Sequence, residues 1–138
     1  MGEKRQPPEG FVLSVGRGEF STRNGPYYHR VNGDVVEQAF FAETRHCNGL
    51  GLIHGGMISA FLDGLMAGAA GRGGGATPVT LHLSLDFLGM GRAGDWVLGE
   101  ARLTRLTRDI AFVEGKARMR GRDLARATGL FKLMRERP

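Results

Sequence analysis

Three kinds of residue in one short run could do chemistry together. In HCNGLGLIHGGMISAFLDGLMAGAAG, residues 46–71, an amide (Asn48), two adjacent glycines (Gly55 and Gly56) and a lone carboxylate (Asp63) lie close in sequence. The glycines stand where an apolar helix should begin. A helix N-terminus offers unpaired N–H groups and the positive end of a dipole, and glycine lets a ligand oxygen approach without a Cβ in the way. That arrangement suits a carbonyl oxygen that gains negative charge, as in acyl transfer. A tight strand-to-helix turn is the plainer reading of the same glycines. Asp63 has apolar neighbours one turn away at Ala60, Met66 and Ala67. Desolvation there would make its carboxylate a stronger general base than an exposed one. A helix edge facing water, or a pairing with arginine, would also account for an acid at that position.

The spacing carries a further expectation. Eight residues between Gly55 and Asp63 correspond to roughly 12 Å of helix and about 80° of rotation. A carbonyl held at Gly55 is then out of reach of Asp63 in the same chain. If both act on one substrate, one of them comes from another subunit, and the protein is an oligomer with sites across the interface.

The elements that must position these residues follow from periodicity. Asn32-Gly33 marks a hairpin between YYHRV and DVVEQAFF, a two-stranded unit over 27–42. The helix lies in the apolar run 52–71, beginning at Gly55-Gly56, and RGGGA (72–76) reads as a flexible connector. VTLHLSLDFL, 79–88, alternates with Val79, Leu81, Leu83, Leu85 and Phe87 on one face, opposite Thr80, His82, Ser84 and Asp86. Alternating runs over 97–106, 111–120 and 124–134 follow, with GRD (121–123) as a hairpin tip. Residues 1–10 read as a flexible tail, and one domain is expected over 1–138. The fold class is α+β: an antiparallel sheet that must bury one face and curves around a single helix apolar nearly all round.

Bulk properties bound the partners. Residues 101–138 hold 11 of the 19 Lys and Arg but 4 of the 14 acids, a balance of +7 against −2 for residues 1–100. Such a basic third points to an acidic partner, nucleic acid or a phosphate-bearing ligand, or to the solvated face of strands. One cysteine, Cys47, excludes an intramolecular disulfide and suits a reducing, cytoplasmic setting. The five glycines, Ser59 and Asp63 within 52–71 argue against a membrane span. No Cys/His cluster has metal-ligand spacing.

The run 46–70 resembles the signature of hotdog-fold acyl-CoA thioesterases of the PaaI-like (phenylacetic acid degradation) family: Asn48, Gly51, His54, Gly55, Gly56, then Asp63. The likeness covers about 25–134, with VTLHLSLDFL similar to the strand after the helix and TRDIAFVEGKARMRGRDLARATGLFKL similar to the closing strands. Gly49 stands where many members have Pro, and Gly-Met-Gly (89–91) where a Pro-containing turn is usual. The resemblance implies a curved sheet wrapped around one long central helix, and hydrolysis of an acyl-CoA to free acid and coenzyme A. It implies that Asn48 and the Gly55 N–H polarise the thioester carbonyl. Asp63 of the partner subunit would be general base or nucleophile, with Thr80 orienting the water. His54, Gly56, Phe87 and the stretch Arg108, Asp109, Ile110, Ala111 and Phe112 would contact the substrate. It further implies a homodimer with shared sites, or a tetramer as a dimer of dimers. No metal or redox cofactor is called for, coenzyme A being part of the substrate.

Other readings compete. A non-catalytic acyl-CoA sensor would share the fold, and a hydratase or dehydratase would pair His54 with the partner's Asp63. A nucleic-acid binder would use the basic strands, which lack aromatics for stacking. His54 has a helix-entry role as its plainer reading. His82 and Asp86 face solvent, and Cys47 is expected to be inert.

Overall fold

The computed structural model describes residues 5–135. Seven strands make one antiparallel sheet: β1 Val12–Leu13, β2 Tyr28–Asn32, β3 Val35–Phe41, β4 Thr77–Phe87, β5 Trp96–Leu106, β6 Ile110–Met119 and β7 Arg122–Met134. Their order is β1-β2-β3-β5-β6-β7-β4, so the strand after the long helix lies at an edge. A short helix α1 (Glu19–Asn24) precedes β2, and a 3-10 turn at Thr44–His46 leads toward the long helix α2, Gly55–Gly74. The helix packs against β3 to β7, inside the curve of the sheet. This is the α+β hotdog arrangement.

Helix α2 sits there because its sequence leaves no other place for it. Phe61, Leu62, Leu65 and Met66 have no exposed surface, and Met57, Ile58, Ala69 and Ala70 are buried. They meet the inner-face residues Val97, Ala101, Val113, Ala117, Phe131 and Leu133. Each large side chain so buried stabilises the fold by about 1.5–3 kcal/mol. The direction left uncovered carries Gly56, Ala60, Asp63, Gly64 and Ala67, small residues and one acid at helical spacing. Asp63 is therefore half-buried at the margin of the groove and not wrapped on all sides.

Three details differ from the sequence expectations. The connector at 72–76 is in part helix: α2 runs through Gly74 and ends on Gly75 in the left-handed conformation, whose N–H bonds the Gly71 carbonyl. Packing overrides glycine's poor helix propensity there, since a Cβ at Gly74 would meet Leu133 at 2.8 Å and one at Gly73 would strike Leu103. The β6–β7 turn is Arg120–Gly121, both at positive φ (52° and 75°), and not 121–123; a two-residue turn of this hand matches strand twist.

The third difference bears on the site. The alternation of 79–88 is broken by a bulge between Thr80 and His82. Leu83 pairs with Gly129 and Leu85 with Ala127 on the inner face. Beyond the bulge it is Thr80, opposite Phe131, that faces inward, while Val79 pairs with Lys132 on the outer face. The single apolar face expected of this strand is thus two half-faces, and Val79 and Leu81 stay 43% and 56% exposed. The segment read as a tail is described from Arg5 onward. The guanidinium of Arg5 lies 4.1 Å from the Phe41 ring centroid, and Arg30 donates to the Glu9 carbonyl at 2.9 Å.

Candidate active site

The loop before α2 fixes Asn48 by its own side chain. Asn48 Oδ1 accepts the N–H groups of Leu50 (2.9 Å) and Leu52 (3.1 Å), and its backbone exchanges bonds with Leu52 and Gly51. Gly51 makes the tight turn at φ 77°. With the oxygen tied into the loop, the exposed Nδ2 group is left to donate outward. The turn is built without a proline, although Gly49 occupies that position.

At the helix start, His54 is the N-cap. Its Nδ1 accepts the Gly56 N–H at 2.7 Å, and its carbonyl accepts from Met57 and Ile58. The Gly55 N–H alone in this turn has no acceptor among the described residues. The ring of Phe87 closes over Gly55, its Cζ 3.4 Å from where a Cβ would stand. His54, Gly55, Gly56 and Phe87 are therefore gathered at one end of α2, with Asn48 on the loop that leads into it.

Asp63 and Thr80 form a second group, two turns along. Thr80 Oγ1 donates to Asp63 Oδ1 at 2.6 Å. The other Asp63 oxygen has no protein donor among the described residues. At roughly 12 Å of helix from Gly55, this pair does not meet the first group within one chain.

The stretch 108–112 forms a third group at the far end. Arg108 and Asp109 are exposed in the β5–β6 turn, where Thr107 bonds Ile110. Arg135 ties this turn to the end of α2, donating to the carbonyls of Gly74 (2.9 Å) and Arg108 (2.8 Å). Ile110 and Phe112 are half-buried, and Ala111 has no exposed surface, so its side chain belongs to the core. A 20-residue helix is about 30 Å long, so this turn is remote from its own Gly55.

Some of the site's surroundings carried no sequence signal. A cavity of about 250 Å³ beside the helix start is bounded by Phe20, His46, Cys47, Gly56, Met57 and Ala60, among others. Phe20 belongs to α1, a helix too short for periodicity to reveal. His46 is buried, its Nδ1 accepting the Glu43 N–H (3.0 Å) while Nε2 lies 2.8 Å from the Asn24 carbonyl. Nδ1 as acceptor places the proton on Nε2, which donates to that carbonyl. Burial holds the imidazole's pKa below its ordinary value, against the opposing pull of the Asn24 carbonyl. Arg17 lies over the Tyr27 ring at 4.7 Å and against Gly64, with Nη1 buried and without a partner among the described residues. Burial lowers the pKa of this guanidinium and raises that of the Tyr27 phenol.

Much of the basic last third is already paired. Arg126 meets Asp86 at 3.2 Å, Lys116 and Arg118 meet Glu100 at 3.7 and 3.4 Å, and Arg120 meets Asp95 at 2.5 Å. Hydrogen bonds from Arg120 and the Trp96 N–H hold the Asp95 carboxyl below its ordinary pKa. No helix among the described residues is long and apolar enough to cross a membrane.

Comparison with known proteins gives this geometry a family. Residues 50–125 match the model of the thioesterase superfamily. The Pseudomonas aeruginosa protein PA0474, whose name marks it as an unproven esterase, is 33% identical over 129 residues, covering 91% of this chain and 96% of its own. A phenylacetic acid degradation-related protein of Ralstonia eutropha JMP134, provisionally called a thioesterase, superposes with a TM-score of 0.77 at 28% identity, over 86% of this chain and 92% of that one. A hypothetical thioesterase of Streptococcus pneumoniae TIGR4, solved with coenzyme A, shares the fold at 18% identity, with a TM-score of 0.74 over 93% and 98% of the two chains. The chain belongs to the thioesterase superfamily.

Proposed function

We propose that the protein is an acyl-CoA thioesterase whose sites are shared between two copies of the chain. The observation that carries this reading is the Gly55 N–H, the one donor of the first helical turn left without an acceptor among the described residues. In this reading the Asn48 amide, on the loop that leads into the helix, is the second donor to a thioester carbonyl oxygen placed there. Donors fixed in advance at the position where negative charge develops are worth about 10²–10³ in rate each.

In this reading Asp63 of the partner subunit takes a proton from water as the water oxygen adds to the carbonyl carbon. The tetrahedral intermediate collapses with cleavage of the C–S bond, and coenzyme A departs as thiolate and collects the proton. Direct attack by Asp63 is the variant of this step. Thr80 supports either role, because its hydrogen bond leaves the second carboxylate oxygen to face the reaction. The hydratase reading loses support, since the Nδ1 of His54 is engaged by the Gly56 N–H. His54 then serves the substrate by shaping the helix start.

The edge of the sheet supports a shared site. Among the described residues β4 bonds only β7, so one side of an eleven-residue strand is unpaired, and Val79, Leu81 and Phe87 are exposed beside it. Such an edge is a template for another strand. The 108–112 turn, remote from its own Gly55, would likewise serve a neighbouring chain's site, with Arg108 suited to CoA phosphates. The coenzyme A bound to the Streptococcus pneumoniae relative supports that class of substrate. The chemistry calls on no metal or redox group.

Free-thiol release from short, medium and aromatic acyl-CoAs tests the reading. Wild type should turn over at least one of them, and Asp63→Asn should lose about 10³-fold or more of that activity while keeping its fold. The reading fails if no acyl-CoA is hydrolysed, or if the Asn variant matches wild type.

A further inference from the structure

Taking the thioesterase reading as the basis, we infer that Arg17 recognises a carboxylate at the far end of the acyl chain. The preferred substrate is then a CoA thioester of a medium-length dicarboxylic acid. Arg17 lies across helix α2 at Gly64, with its guanidinium 4.7 Å from the Tyr27 ring centroid. Nη1 is buried without a hydrogen-bond acceptor, and no carboxylate among the described residues pairs with the group. An aromatic face offsets only part of what a guanidinium loses on leaving water. An arginine held in this way lacks an anion.

The helix makes room for it. Glycine in a helix interior is costly relative to alanine. At Gly64 that cost has a purpose, because a Cβ there would strike Nη2 of Arg17. Gly56, Ala60 and Gly64 follow at intervals of four and form one stripe along α2. The first two bound the cavity of about 250 Å³ beside the helix start. Phe20, three residues after Arg17, bounds the same cavity. The segment that carries both therefore runs along the stripe, with Phe20 at the cavity and Arg17 about one helical turn past Ala60.

The other polar groups at this cavity are already engaged. Arg45 donates to Glu43 and to the carbonyls of Arg23 and Gly25. His46 uses both ring nitrogens, and His54 Nδ1 holds the Gly56 N–H. No acid is among the described residues that bound the cavity, so none of them repels an anion. An acyl group whose carbonyl sits at the Gly55 N–H enters beside Gly56 and follows the stripe toward Arg17. Gly64 lies nine residues beyond Gly55, roughly 13 Å along the helix. With hydrogen-bond reach subtracted at each end, a chain of about six to ten carbons brings a terminal carboxylate to Nη1. The planar fork of the guanidinium suits that group, and burial strengthens the pairing. A plain fatty acyl chain of equal length leaves the cation unpaired and sets a methyl group against it.

Free-thiol release from adipyl-, suberyl- and sebacyl-CoA, each beside the monocarboxylic chain of equal length, provides the test. Wild type should favour at least one dicarboxylic member by about tenfold or more in kcat/KM. Arg17→Met should lower that ratio by about tenfold or more, and Arg17→Lys should keep part of it. Gly64→Ala, which displaces the guanidinium, should lower the ratio too, and it carries the test if Arg17→Met melts early. A wild type without the preference, or variants that keep it, would overturn the inference and make Arg17 a packing residue. If no acyl-CoA is hydrolysed, the thioesterase reading has failed, and calorimetric titration with the same pairs decides on binding alone. Tighter binding of a dicarboxylic member that Arg17→Met abolishes upholds the role of Arg17. Equal binding of both members, or a difference that survives Arg17→Met, overturns it.

Discussion

Thr80 reaches Asp63 only because Leu81 stands out of the ladder. The 2.6 Å bond between Thr80 Oγ1 and Asp63 Oδ1 joins the central helix to the edge strand. In a regular strand Thr80 would have faced outward with His82 and Ser84. If Asp63 is the base, losing this bond frees its carboxylate to rotate. Thr80→Val should then lower kcat by about ten- to a hundredfold with little change in KM, and Thr80→Ser should restore most of it. Equal kcat in wild type and the Val variant would separate Thr80 from the chemistry.

The helix start allows the proposed oxyanion donor to be removed on its own. Gly55 is the first helical residue, where proline is well tolerated, and His54 has the extended backbone (φ −61°, ψ 136°) that a following proline requires. Gly55→Pro should melt near wild type yet lose about a hundredfold or more in kcat. Coexpressed with Asp63→Asn, it should regain about a quarter of wild-type activity. Half of the dimers are then mixed, and each mixed dimer has one site with both groups intact. Two inactive variants that stay inactive together would mean that no site is shared.

The core sets its own limit at Gly99. A Cβ there would meet Phe61 and Leu65, both fully buried, at 2.7 Å. Alanine is otherwise the better strand residue, so any loss is steric. Gly99→Ala should destabilise the protein by about 1–3 kcal/mol in urea unfolding, and an unchanged midpoint would show that the ring can retreat.

The neutral His46 predicts the direction of the acid response. Its folded pKa lies below the unfolded value of about 6.5. Its contribution is therefore fully present above that pH, and is lost as pH falls toward the lowered folded value, because the unfolded chain takes the proton first. The urea midpoint should drop between about pH 7.5 and 5.5, and it should drop less in His46→Gln. His29, His54 and His82 remain in both proteins, so parallel losses would assign the effect to them.

Much of this was legible in the sequence, for identifiable reasons. Gly55, Asp63 and the limits of the main strands follow from local periodicity and helix geometry, which need no tertiary information. The spacing argument also separates Gly55 from Asp63, and the helix does keep them apart. What escaped depends on packing. The helix continues through Gly73 and Gly74 because Leu103 and Leu133 fill the space beside them. The bulge at Leu81 lies inside a stretch whose alternation looks unbroken. Phe20 and His46 border the cavity at the helix start from loops and a short helix that carry no repeat. Arg17 reveals its buried nitrogen only once Tyr27 and Gly64 are brought against it.

Counted as information, Leu81 is a frameshift. A β-strand reads its side chains in steps of two, and one extra residue moves everything upstream into the other phase. A chain that took Leu81 into the ladder would have a strand of unbroken apolar alternation, with Leu81 and Val79 turned inward and Thr80 turned out. It would gain a ladder pair and lose the only described hydroxyl on Asp63. Strand regularity and the proposed chemistry thus pull on the same position in opposite directions, and the bulge records which of them prevailed.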